Sequence, residues 1–151
     1  MVASETIEVS AEQCAFFSEK ANETQLPVVL LVHVPLFTPE LKSSMEAYGV
    51  GEVEGEVGVM MGYLCGDPDG LVGGSRPEAF EGTSPDEDTL AFVRMVRGCP
   101  RLAAVLSGHL HTHQVHSCGD ESGAMQLVTD AGLNGGWRVV EFTGPAAAAR
   151  M

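Results

Sequence analysis

The chain has 151 residues, 44% of them hydrophobic and 19% charged, which is enough apolar material for one packed domain and argues against wholesale disorder. Lys and Arg number 8 against 21 Asp and Glu, a formal net charge of −13, so there is no basic footprint for nucleic acid and no polybasic patch for an anionic membrane. If the chain handles a phosphorylated ligand, the positive charge must come from elsewhere, and a bound metal ion is the simplest source.

The first residues have no basic stretch and no long apolar run, so they do not read as a secretory signal. The longest apolar run, residues 26–32, falls far short of the roughly 20 residues of a membrane span. Cys14, Cys65, Cys99 and Cys118 lie far apart with no C-x-x-C pair, which excludes a zinc ribbon or a redox motif of that spacing. Four reduced thiols in a cytoplasmic protein are the expectation.

In chain order, residues 10–22 read as a helix: Ser10 and Gln13 have capping-box spacing, and Cys14, Phe17 and Ala21 recur on one face. Residues 28–33 (VVLLVH) have the continuous apolar character of a strand buried on both faces, and Pro35 ends it. From Phe37 to Ser84, glycines such as Gly49, Gly58, Gly66, Gly73 and Gly82 punctuate the chain, so loops and bulges are expected there rather than long elements. Within it, GVGEVEG lacks the spacing and the preceding strand of a dinucleotide fingerprint. Ser84, Pro85 and Glu87 predict a helix start, with Ser84 as N-cap; Leu90, Val93 and Val96 mark its buried face, and Gly98 and Pro100 end it. Residues 102–107 (LAAVLS) predict a second buried strand, residues 113–118 and 124–129 a hairpin, and residues 137–142 (WRVVEF) a last strand. The tail beyond Thr143 is expected to fray.

Four of the five histidines, His109, His111, His113 and His116, follow the strand at 102–107, and the fifth, His33, ends the strand at 28–33. A right-handed β-α-β crossover would make these strands parallel and bring His33, His109 and His111 to one sheet edge, where open α/β sheets place ligands. Neutral imidazole binds zinc, iron, manganese or copper more readily than magnesium or calcium. On an extended stretch, His109 and His111 would point to one face and Leu110 to the other, with Gly108 taking the bend. The alternatives are a hydrogen-bonded core histidine at position 33 and a polar hairpin face at 109–116, with His113 and His116 at the surface.

These residues carry a family resemblance. Val29-Leu30-Leu31-Val32-His33-Val34-Pro35-Leu36 and Ser107-Gly108-His109-Leu110-His111 resemble two late blocks of the calcineurin-like metallophosphoesterases, the second being their Gly-His-x-His motif. The flanks extend it through the loop at 64–68, then through Val128-Thr129-Asp130-Ala131-Gly132 into Gly135-Gly136-Trp137-Arg138. The resemblance implies an α/β architecture: part of a β-sandwich flanked by helices, with a βαβ unit and a C-terminal antiparallel hairpin. It implies hydrolysis of a small phosphorylated substrate at a two-metal centre, with manganese, iron or zinc as the divalent ions. His33 and His109 would hold one ion and His111 the other; Arg138 could reach the phosphate, a surface or hairpin ion pair being the alternative.

The family's earlier Asp-x-His, Gly-Asp and Gly-Asn-His blocks do not occur before His33, and Gly66-Asp67 follows it in the wrong order. Residues 1–143 therefore look like the C-terminal part of such a domain, with a Gly-rich insertion at about 37–84 and a flexible tail at 144–151. A fragment, a split protein awaiting its N-terminal half, and a degenerate paralogue would each give this pattern; a homo-oligomer is another way to cover an incomplete sandwich. Asp67, Asp69, Asp130 and Asn134 are candidate additional ligands, or turn-forming residues. Three functions stay open: an incomplete phosphoesterase, a non-catalytic interaction module of the same fold, and a mononuclear His-ligated hydrolase.

Overall fold

A computed structural model describes residues 9–47, 64–66, 86–118 and 122–143. The fold is mixed α/β. Helix α1 (Ala11–Glu23) leads into β1 (Val28–Leu31), then α2 (Pro39–Ala47), α3 (Glu87–Arg97), β2 (Leu102–Ser107), β3 (Gln114–Ser117) and β4 (Met125–Val128), with a 3-10 turn at Gly132–Asn134. The four strands form one sheet in the order β1-β2-β4-β3. β1, β2 and β4 run parallel, and β3 pairs antiparallel with β4, so the hairpin returns its second strand to the middle of the sheet.

Local chemistry explains the helix ends. Ser10 Oγ accepts from Gln13 N and Gln13 Oε1 accepts from Ser10 N, the reciprocal pair that satisfies two orphan donors of α1. α3 starts two residues later than its capping spacing predicts. Asp86 is the N-cap, its carboxylate accepting from Thr89 N at 2.7 Å, and Glu87 and Asp88 add negative charge in the first turn. Ser84 and Pro85 lie outside the described residues, as do most of the Gly-rich stretch, residues 119–121 and the segment from residue 144.

The apolar faces meet in two clusters. Cys14, Phe17 and Ala21 of α1 pack with Phe92, Val93 and Val96 of α3 against Val105 of β2, and the rings of Phe17 and Phe92 meet edge to face at 5.6 Å. Such a pair adds about 0.5–1.5 kcal/mol to the burial of its area. Leu41 and Met45 of α2 build the second cluster with Leu64, Leu110 and Val128. Between them, Gln126 is fully buried on β4; its Oε1 accepts from Leu36 N at 2.8 Å and its Nε2 donates to Leu36 O at 2.9 Å. The buried amide therefore replaces a strand partner for the backbone just after β1.

Three expectations from the sequence do not hold. The stretch after Phe37 is not irregular throughout, because α2 occupies its start, capped by Thr38 Oγ1 accepting from Leu41 N at 3.0 Å. β1 is not buried on both faces: it is an edge strand, and Leu31 is 76% exposed. Residues 137–142 alternate as a strand would, yet no described strand pairs with them, and Trp137 is 75% exposed. Strand composition makes a strand only where a neighbour offers a hydrogen-bond ladder.

Candidate functional site

The carboxyl ends of the three parallel strands converge, and backbone hydrogen bonds tie them together. Gly108 N donates to His33 O at 3.1 Å, and Thr129 N donates to Ser107 O at 2.9 Å. His33 after β1, Gly108-His109 after β2 and Thr129-Asp130 after β4 thus share one edge. The rings of His33 and His109 stand 5.2 Å apart, edge to face at 77°. The parallel pairing expected between their strands is present, and the two imidazoles meet at its end.

The backbone between the histidines is not extended. His109 has φ of 69° and His111 φ of 50°, both left-handed, while Gly108 is not. Leu110 N donates to Gly108 O at 2.8 Å, closing a three-residue γ-turn on His109, and its positive φ is the rarer and more strained hand of that turn. Between the two histidines, Leu110 is 1% exposed and seated in the second cluster with Val128. The residues on either side of this buried side chain take the sharp turns. Each non-glycine residue held this way stores about 1–3 kcal/mol, a cost often found at functional sites.

His111 is exposed. Asp130 stands at the third strand end, with its Oδ1 accepting from Ala131 N at 2.7 Å and from Asn134 Nδ2 at 3.3 Å. Asp130 and Asn134 therefore act as turn residues. Gly136 lies against Asp130 so closely that a Cβ would stand 2.6 Å from the aspartate Cβ. Arg138 donates from Nη2 to Val128 O at 3.1 Å and lies 3.4 Å from His113 Nδ1, fastening the segment after the 3-10 turn to the end of β4. Asp67 and Asp69 lie outside the described residues. Further along β3, His116 Nε2 lies 3.2 Å from Gln114 Oε1; burial holds its pKa below the usual histidine value, against the opposing field of Glu40.

Among the described residues, no group of three or more His, Cys, Asp or Glu side chains converges in a way that could hold a metal ion. Two imidazoles on a tetrahedral ion would place their ring centres about 5 Å apart, the spacing of the His33–His109 pair. Edge-to-face ring packing has the same spacing. Sequence patterning alone missed the left-handed turns and the anchoring of Arg138. Left-handed turns at non-glycine residues leave no signal in an alternating pattern.

No protein-family model matches the chain, and no curated protein matches it in sequence. No helix among the described residues is long and apolar enough to cross a membrane.

Proposed function

We propose that this chain carries part of the metal centre of a calcineurin-like phosphoesterase, with His33 and His109 ligating one divalent ion, His111 serving a second, and Arg138 facing the phosphate. The observation that supports it is the pair of imidazoles 5.2 Å apart at the carboxyl ends of two adjacent parallel strands. A bound ion of this kind polarises a phosphoryl oxygen and lowers the pKa of water. The chain's own contribution is positional: the buried Leu110 anchors the turn at His109, and the Gly108–His33 hydrogen bond couples the two strand ends. Arg138 would have to exchange its bond to Val128 O for a phosphate oxygen. Three imidazoles without carboxylates do not clamp two ions, so full activity requires further ligands, in the simplest case from an N-terminal half.

The edge-to-face packing of the His33 and His109 rings, which needs no ion, supports a second reading, a non-catalytic interaction module of the same fold. Calorimetric titration with manganese or zinc separates these readings. About one equivalent, lost in both His33→Ala and His109→Ala, supports the paired site, and about two equivalents support a two-metal centre. No binding defeats the proposal and leaves the module. With manganese, little hydrolysis of an aryl phosphate is expected from this chain alone. Robust hydrolysis that survives both substitutions and His111→Ala would remove the assignment.

A further inference from the structure

The open edge of the sheet has a definite chemistry. β1 pairs on its inner side with β2, where Val28 N donates to Arg101 O at 2.8 Å and Val32 N donates to Leu106 O at 3.1 Å. Alternation along the strand turns the N–H groups of Val29 and Leu31 outward, and no strand among the described residues pairs with them. The usual protections of an edge are thin here: the four residues of β1 carry no charge, and only Pro27 precedes them. Leu31 and Leu26 are exposed beside it, and Phe16 of α1 is 64% exposed. The opposite edge, β3, is polar in sequence and tied to α2 through Ser44 Oγ and Gln114 Oε1 at 3.1 Å.

α1 flanks this edge, and its residues Glu12, Phe16 and Lys20 recur every four positions, forming one ridge. One cleft between α1 and β1 is lined by Glu12, Phe16, Leu30 and Leu31, and a second by Phe16, Lys20 and the same two leucines. The ridge therefore reads acid, aromatic, base, with the aromatic at its centre. That order is self-complementary. A two-fold axis near Phe16 would set α1 antiparallel to its copy, stack Phe16 on Phe16 of the partner subunit, and place Glu12 against Lys20 of the partner subunit twice over.

We propose that two copies of this chain associate across such an axis, β1 pairing antiparallel with β1 to make one continuous sheet, with the Glu12–Phe16–Lys20 ridge as the specificity element. Lys20 already bonds Glu19 at 2.7 Å and Glu23 at 2.8 Å, but its exposed ammonium has three donors and accommodates a third carboxylate. The −13 charge on each copy opposes association, so the surface functions where salt screens the long-range repulsion and leaves the short contacts. The proposal rests on neither His33 nor His109, so its fate is separate from that of the metal site.

Sedimentation equilibrium of the full chain at about 0.15 M salt tests it. A monomer–dimer equilibrium is expected, with hydrogen exchange at the Val29 and Leu31 amides slowing as concentration rises. Glu12→Lys or Lys20→Glu alone turns two attractions into repulsions and weakens the dimer about tenfold. The double variant, Glu12→Lys with Lys20→Glu, regains the wild-type constant, because the reversed charges again face each other across the axis. A chain that stays monomeric at all concentrations overturns the proposal. So does a double variant no better than either single one, or protection that appears at β3 instead.

Discussion

At the scale of single residues, the most consequential side chain near the candidate site is not a histidine. Gln126 is fully buried, and its amide holds both the N–H and the carbonyl of Leu36. Leu36 lies three residues after His33, so this pair anchors the chain where it leaves the strand end. Replacing Gln126 by Leu conserves bulk but strands one buried donor and one acceptor, each costing about 1–3 kcal/mol. Gln126→Leu is therefore expected to lower unfolding free energy by about 2–4 kcal/mol in urea titration. A loss below half a kilocalorie would mean that water replaces the amide. Gly136 makes a similar point by close approach, since any Cβ there meets Asp130 at the third strand end.

At the scale of elements, the loop residues 64–66 show how a short segment is fixed from both sides. Cys65 N donates to Pro35 O at 2.8 Å and Phe37 N donates to Cys65 O at 2.9 Å, a parallel bridge that continues the path of β1. Gly66 follows with φ of 77°, and a Cβ there would stand 2.7 Å from Cγ2 of Val93 on α3. Gly66→Ala thus combines left-handed strain with overpacking of a buried helix face. A loss of about 2–4 kcal/mol is expected, with Val93→Ala partly rescuing Gly66→Ala in a double-mutant cycle. Additive losses would show that backbone strain alone is responsible.

The same scale shows what was legible in the sequence. α1, β2 and the β3–β4 hairpin follow from periodicity, capping and turn chemistry, because each is specified by residues close in the chain. α2 escaped because its apolar residues Leu41 and Met45 are few, and its stability comes from packing on Leu64, Leu110 and Val128 far away. The segment at 137–142 erred in the other direction: its composition suits a strand, but no described neighbour offers a ladder. For the site, the pairing of His33 with His109 followed from topology. The backbone of His109 and His111 did not, because left-handed turns at non-glycine residues leave no mark in an alternating polar and apolar pattern.

At the scale of the whole molecule, the four cysteines are all free and buried, and they report on the integrity of the core. Burial pushes the Cys65 thiol up to about 12 from an ordinary value of 9.0, and it also raises Cys14 and Cys118. The folded protein therefore keeps protons on these sulfurs that the unfolded chain releases. For Cys65, stability is fully present below pH 9.0 and declines as pH rises towards about 12, because the unfolded state binds fewer protons throughout that window. One such thiol gives a slope of up to about 1.4 kcal/mol per pH unit. Cys65→Ala loses some packing at neutral pH but removes this pH dependence. Urea midpoints measured at about pH 8 and about pH 10.5 should fall less for the variant than for the wild type. Equal falls would mean that Cys65 ionises in the folded protein as it does in water. In that event a thiol reagent would label it in the native state, whereas a closed core yields its thiols only as it unfolds.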